Sequence, residues 1–175
     1  MEWNLASDVL NTLRLQGLTL ATAESCTGGW VGRALTAVPG SSQVYRGGVI
    51  SYTDAVKEKL LDVPRELLDR CGAVSEPVAK AMAQGARKVL EADVAVSVTG
   101  LAGPEADGFK NPVGTVYLGY ADGAEVRCVH CQLEGGREAV RRQACQKALE
   151  LILACQREHP LHAVHAKRGG MQGHG

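Results

Sequence analysis

Apolar residues recur at helical spacing over residues 3–15, and Gly17 suits a helix C-terminal stop. Residues 18–23 then read as a short buried strand, 24–29 as a polar turn containing glycine, and 30–38 as a helix ended by Pro39-Gly40. A second strand is predicted over 47–52. Asp54 is placed to cap a short helix running through Lys57 to Leu61, and 64–70 forms another helix stopped by Gly72. Ser75 suits an N-cap and Pro77 is tolerated in the first turn of a helix that continues to about Glu91. Val94, Val96 and Val98 mark a β-branched strand that ends at Thr99-Gly100, before a loop rich in turn residues over 101–112. Residues 113–120 and 125–133 pair as a hairpin across Ala121-Asp122-Gly123-Ala124, and 137–157 is a long amphipathic helix.

Helices precede, separate and follow the strands. That order predicts an α/β fold, a three-layer α/β/α sandwich with a mixed sheet. There is no internal repeat. Residues 159–175 show neither apolar periodicity nor caps, so one domain over 1–158 with a disordered tail over 159–175 is expected. A chain of 175 residues is long enough for one such domain with a sizeable core.

Composition narrows the classes of function. Lys plus Arg equals Asp plus Glu at 19 each, so no overall field favours nucleic acid or an anionic membrane. No apolar stretch is long enough to cross a bilayer, and the first ten residues lack the basic start and apolar run of a signal peptide. A cytoplasmic location is the expectation. In that setting the six cysteines read as free thiols. Aromatic residues are only 4% of the chain and Phe109 is the single Phe. The core must then be built from Val, Leu, Ile and Ala, and a stacking platform for single-stranded nucleic acid is poorly supported.

The most informative stretch is Ala23-Glu24-Ser25-Cys26-Thr27-Gly28-Gly29, between a buried strand and a helix. Such a turn can hold a hydroxyl at the edge of a sheet while the N–H groups at the helix start face an anion. Gly28 and Gly29 allow close approach of a ligand to the backbone. Ser25 and its oxyanion donors, the N–H groups near Cys26 to Gly28, could share this turn. A Ser/Thr helix cap with packing glycines is the plain alternative. Cys26 is a rival nucleophile, because a thiolate at a helix start can have a depressed pKa. Gly28-Gly29-x-x-Gly32 lacks the G-x-G start of a dinucleotide loop.

Lys57, in Tyr52-Thr53-Asp54-Ala55-Val56-Lys57, is either a solvated charge or a partly buried base for Ser25. Thr99-Gly100-Leu101-Ala102-Gly103-Pro104 follows a strand, where open α/β sheets commonly bind ligands. Arg137 and Arg141 lie four apart on one face of the last helix and suit a phosphate or carboxylate. Cys128-Val129-His130-Cys131 resembles half a zinc site, but no second pair of ligands with similar spacing exists, so neither a metal nor any other cofactor is expected.

Read in order, these blocks resemble the CinA C-terminal domain family: the Ser25 turn, Tyr52 with Lys57, Gly72-Ala73-Val74-Ser75-Glu76-Pro77-Val78, Thr99-Gly100-x-Ala102-Gly103-Pro104, Pro112-Val113-Gly114-Thr115-Val116, and Gly135-Gly136-Arg137-x-x-Val140-Arg141. The resemblance covers roughly residues 5–155. It includes stand-alone nicotinamide-mononucleotide deamidases, whereas other members carry a separate N-terminal domain. It implies a serine–lysine amidohydrolase with Ser25 as nucleophile, Lys57 as base and Tyr52 as the active-site tyrosine. Cys26, Thr27, Gly28, Gly29, Thr99, Gly100, Arg137 and Arg141 would bind substrate, and Arg141 is selected over Arg142 by the Arg-x-x-Val-Arg spacing. The implied partner is a small pyridine nucleotide, with a homodimer or higher homo-oligomer expected. A non-catalytic nucleotide-binding or regulatory module is the alternative. Two positions depart from the family pattern: Gly136 stands where relatives often carry Asp, and the usually glycine-rich loop reads Glu105-Ala106-Asp107-Gly108-Phe109-Lys110-Asn111.

Overall fold

Strict alternation within the strands decides how the helices pack. A computed structural model describes residues 2–161. In chain order the elements are α1 (Glu2–Gln16), β1 (Leu20–Glu24), α2 (Trp30–Thr36), a short 3-10 turn (Ser41–Gln43), β2 (Tyr45–Ile50), α3 (Asp54–Leu61), α4 (Arg65–Cys71), α5 (Glu76–Val89), β3 (Val94–Gly100), β4 (Thr115–Ala121), β5 (Val126–Gln132) and α6 (Arg137–Glu158). The strands form one sheet in the order β2-β1-β3-β4-β5. β1 runs parallel to both β2 and β3, whereas β3–β4 and β4–β5 are antiparallel, so the sheet is mixed.

Leu20 of β1, Val94, Val96 and Val98 of β3, and Val116, Leu118 and Tyr120 of β4 share one core cluster with residues of α1, α2 and α6. The intervening Ala21, Ala23 and Ala95 share a second cluster with Leu61 of α3, Leu68 of α4 and Val78, Met82 and Ala86 of α5. The period of two therefore sorts large residues to one cluster and small ones to the other. Small strand residues let α5 approach closely: Ser97 donates to the Ala79 carbonyl at 2.6 Å and accepts from the Gly119 N–H at 3.2 Å.

Local differences from the sequence expectations have physical causes. Thr53, not Asp54, caps α3: its hydroxyl accepts from the Val56 N–H, and Asp54 is the first helical residue. Both residue types cap helices, so the pattern could not separate neighbours. Ser75 occupies the N-cap position of α5, but its hydroxyl donates backwards to the Gly72 carbonyl at 2.8 Å. The hairpin turn is held by Asp122, whose carboxylate accepts from the N–H groups of Ala124 and Glu125. Of the segment read as a tail, Leu161 packs against the α1–α6 core, and residues 162–175 lie outside the described residues. No helix among the described residues is long and apolar enough to cross a membrane.

Candidate active site

The site is built where three parallel strands end. Glu24 pairs with Ile50 of β2 and Val98 of β3. The Ser25 N–H donates to the Val98 carbonyl at 3.0 Å, and the Ser51 N–H donates to the Glu24 carbonyl at 2.8 Å. Ser25 therefore leaves the sheet from a fixed point, at the carboxyl end where open α/β sheets present ligands.

The turn that follows is tied at both ends. Gly28 and Gly29 have φ of 59° and 104°, a backbone that L side chains resist. Gly29 is the N-cap of α2 and no side chain caps it locally, which displaces the plain Ser/Thr-cap reading. Instead the buried Glu24 carboxylate reaches across the turn and accepts from Val31 N–H at 2.9 Å and Gly32 N–H at 3.1 Å. On the other side Arg141 donates from Nε to the Cys26 carbonyl at 3.0 Å and from Nη2 to the Thr27 carbonyl at 3.2 Å, while its guanidinium lies 5.5 Å from the Trp30 ring centre. Glu24→Gln replaces one accepting oxygen with an NH2 group that cannot accept. It is expected to cost roughly 1–2 kcal/mol of stability by chemical denaturation. A variant as stable as the parent would show that α2 does not depend on this carboxylate.

Lys57 is the decisive side chain. It lies on α3 yet is only 1% exposed. Its Nζ donates to the Ser51 carbonyl at 2.7 Å and lies 3.0 Å from Ser25 Oγ. Burial pushes the Lys57 pKa down, and the negative Asp54 one helical turn away partly opposes that shift. Burial pushes the Cys26 thiol up to about 11, which disfavours a thiolate at neutral pH.

Ser25, Cys26, Tyr52, Lys57, Thr99, Gly100 and Arg137 all line one cavity of about 560 Å³. Thr99 Oγ1 is turned to the Ala73 carbonyl at 2.8 Å. Arg137 crosses the mouth, donating to the Gly103 carbonyl at 2.8 Å and to Tyr52 Oη at 3.1 Å. Thr27, Gly28, Gly29 and Arg141 do not line this cavity. They border a smaller one of about 220 Å³ with Trp30 and Arg33. The two arginines, placed on one helix face and each a candidate for the substrate, thus separate, Arg137 at the mouth and Arg141 behind the turn. Gly28 is also no free oxyanion donor, since its N–H is given to the Ser25 carbonyl at 3.0 Å.

The half zinc site comes apart on the strand. Cys131 packs against the α6 side and feels Lys147 and Glu150, whereas Cys128 feels Glu76 and Lys80 of α5. Residues three apart in a strand point to opposite faces. His130 stacks on Tyr117 at 4.7 Å, and no metal-binding group of three His, Cys, Asp or Glu exists among the described residues.

A model of the CinA C-terminal domain matches residues 2–156. The chain belongs to the CinA C-terminal domain family. A CinA-like protein of Parasynechococcus marenigrum is 52% identical over 151 residues, covering 85% of this chain and 36% of that protein. One from Gemmatimonas aurantiaca is 46% identical over 149 residues, with 85% and 35% covered. The chain thus spans about a third of the length of these CinA-like relatives. Among solved structures, a competence-damaged protein (CinA) superfamily protein from Escherichia coli matches with a TM-score of 0.86 and 37% identity over 87% of this chain and 89% of that one. A competence/damage inducible protein from Agrobacterium tumefaciens gives a TM-score of 0.84 and 37% identity, covering 87% and 94%.

Three features of this CinA-family site were missed by the sequence reading. Glu24 reads as part of the turn, although a carboxylate ending a largely apolar strand signals a buried hydrogen-bonding task. The Ser51 carbonyl, which anchors Lys57, carries no sequence signal. Asp54, Glu105, Asp107 and Phe109 line the cavity as well, and only the departure of the 105–111 loop from the family pattern pointed there.

Proposed function

We propose that this CinA-family chain hydrolyses the carboxamide of nicotinamide mononucleotide to nicotinic acid mononucleotide and ammonia. The observation that carries the reading is the buried Lys57 amine 3.0 Å from the Ser25 hydroxyl. A cavity of about 560 Å³ at that pair is within the range for small-molecule sites. As a neutral amine, Lys57 keeps one N–H on the Ser51 carbonyl and offers its lone pair to Ser25. Ser25 Oγ passes its proton to Nζ and bonds to the amide carbon. With Gly28 engaged and Thr27 buried behind the turn, the N–H of Cys26, at the cavity wall, is the turn's candidate for the oxyanion. Arg141 holds the Cys26 and Thr27 carbonyls from behind and so steadies the turn that carries Ser25 and the Cys26 N–H. The C–N bond breaks as the Lys57 ammonium, with Tyr52 assisting, returns the proton to departing ammonia. Water, deprotonated by Lys57, then cleaves the acyl ester and restores Ser25.

Thr99, Gly100 and Arg137 contact the substrate in this reading, while Thr27, Gly28, Gly29 and Arg141 shape the turn behind Ser25. The two core clusters support three-layer α/β/α packing, and a cytoplasmic location and a homodimer or higher homo-oligomer complete the reading. Ammonia release from nicotinamide mononucleotide is the direct test. Saturable release that Ser25→Ala removes is expected. Binding of the nucleotide without product would instead make the chain a nucleotide-binding module.

A further inference from the structure

The cavity mouth carries two large aromatic rings left half in solvent, in a chain where aromatics are 4% of residues. Tyr52 is 59% exposed and Phe109 48%. Tyr52 has a polar reason to be there, through Arg137. Phe109 has no polar group, yet it is held in place. Asp107 accepts from the N–H groups of Phe109 and Asn111 at 3.1 and 3.2 Å. The Asn111 amide donates to Asp107 at 2.9 Å and to the Val74 carbonyl at 3.1 Å, which ties the loop to the segment before α5. One side of the ring rests on Gly72, where an added Cβ would meet Phe109 Cδ2 at 2.6 Å. Gly72 also has φ of 75°, so a side chain there is excluded by backbone and ring alike. The ring is therefore backed by bare backbone while it lines the cavity that contains Ser25 and Lys57.

Preorganised aromatic faces bind planar rings by offset stacking, and their electron-rich faces attract cationic rings. Asp54, Glu105 and Asp107 line the same cavity beside Lys57 and Arg137, a lining that suits a ligand carrying both a cationic ring and an anionic group. We infer that Phe109 is a specificity-determining residue: its ring, supported by Gly72, is the surface on which the planar ring of an aromatic carboxamide stacks. The inference rests on the amidohydrolase reading and adds to it the residue that selects the ring. Phe109 acts through binding and takes no part in bond making.

Steady-state ammonia release with nicotinamide mononucleotide should be measured for the parent and for Phe109→Ala, Phe109→Leu and Phe109→Tyr, each checked for an unchanged melting temperature. The alanine variant is expected to raise KM about five- to twentyfold while kcat stays within about threefold. Leucine keeps apolar bulk without a flat face and should resemble alanine, whereas tyrosine should resemble the parent. An alanine variant with the parent's KM, or a leucine variant that restores it, overturns the inference and leaves the amidohydrolase reading standing. If the parent releases no ammonia, that reading fails by itself, and calorimetric titration with the same nucleotide then tests Phe109. Weaker binding by the alanine variant upholds the stacking role. Equal binding, or no binding by the parent, overturns it.

Discussion

Ser25→Ala is expected to lose turnover by at least about a thousandfold while folding as the parent does. The small hydroxyl lies at the cavity wall, hydrogen-bonded to Lys57 Nζ. Its removal therefore deletes the attacking atom and little else. Cys26→Ala is the paired control. Burial holds that thiol near 11, which leaves almost no thiolate at neutral pH. Its contribution is packing, since it is 6% exposed within the larger core cluster. The Cys26 variant should melt somewhat lower and retain most of its activity. Ammonia release by both variants, read beside their melting curves, checks the assignment. An active Ser25→Ala with an inactive Cys26→Ala would transfer the nucleophile to sulfur.

The fold was legible where periodicity was strong. Val94, Val96 and Val98 announced a strand by alternation, and α6 by its length, because each buries one face against a layer of fixed geometry. Placement of Lys57 was not legible. Its helix reads as an exposed, charged segment, and its burial depends on Ser51 and Ser25, which arrive from the ends of two other strands. Arg137 and Arg141 show the limit of helix-face arguments. They do share a face, but one turn of rise carries Arg137 to Gly103 and Tyr52 and Arg141 to the carbonyls of the Ser25 turn. The blocks that mark the CinA family supplied the pairing of Ser25 with Lys57. The residues behind that pair act through backbone groups, which leave no trace in residue type.

The pH dependence of acylation should report Lys57 directly. The amine is a base only when neutral, and its ordinary pKa is about 10.4. Desolvation lowers that value in the folded chain, with Asp54 pulling against it. Acylation should therefore rise with pH through the lowered lysine pKa and level off above it, at a pH below the range where an exposed lysine titrates. Asp54→Asn removes the opposing charge and should shift the limb to lower pH. Lys57→Arg keeps a positive charge that does not deprotonate in the working range. It should bind nucleotide yet acylate about a hundred- to ten-thousandfold more slowly, the usual worth of a positioned general base. Lys57→Ala should be as slow, which separates loss of a base from loss of a charge. Single-turnover acylation across pH, on each variant beside the parent, makes the comparison. Near-parental acylation by the arginine variant would mean that Lys57 supplies charge alone. The limb in pH would then belong to another group at the mouth, and Tyr52, already hydrogen-bonded to Arg137, would be the residue to change next.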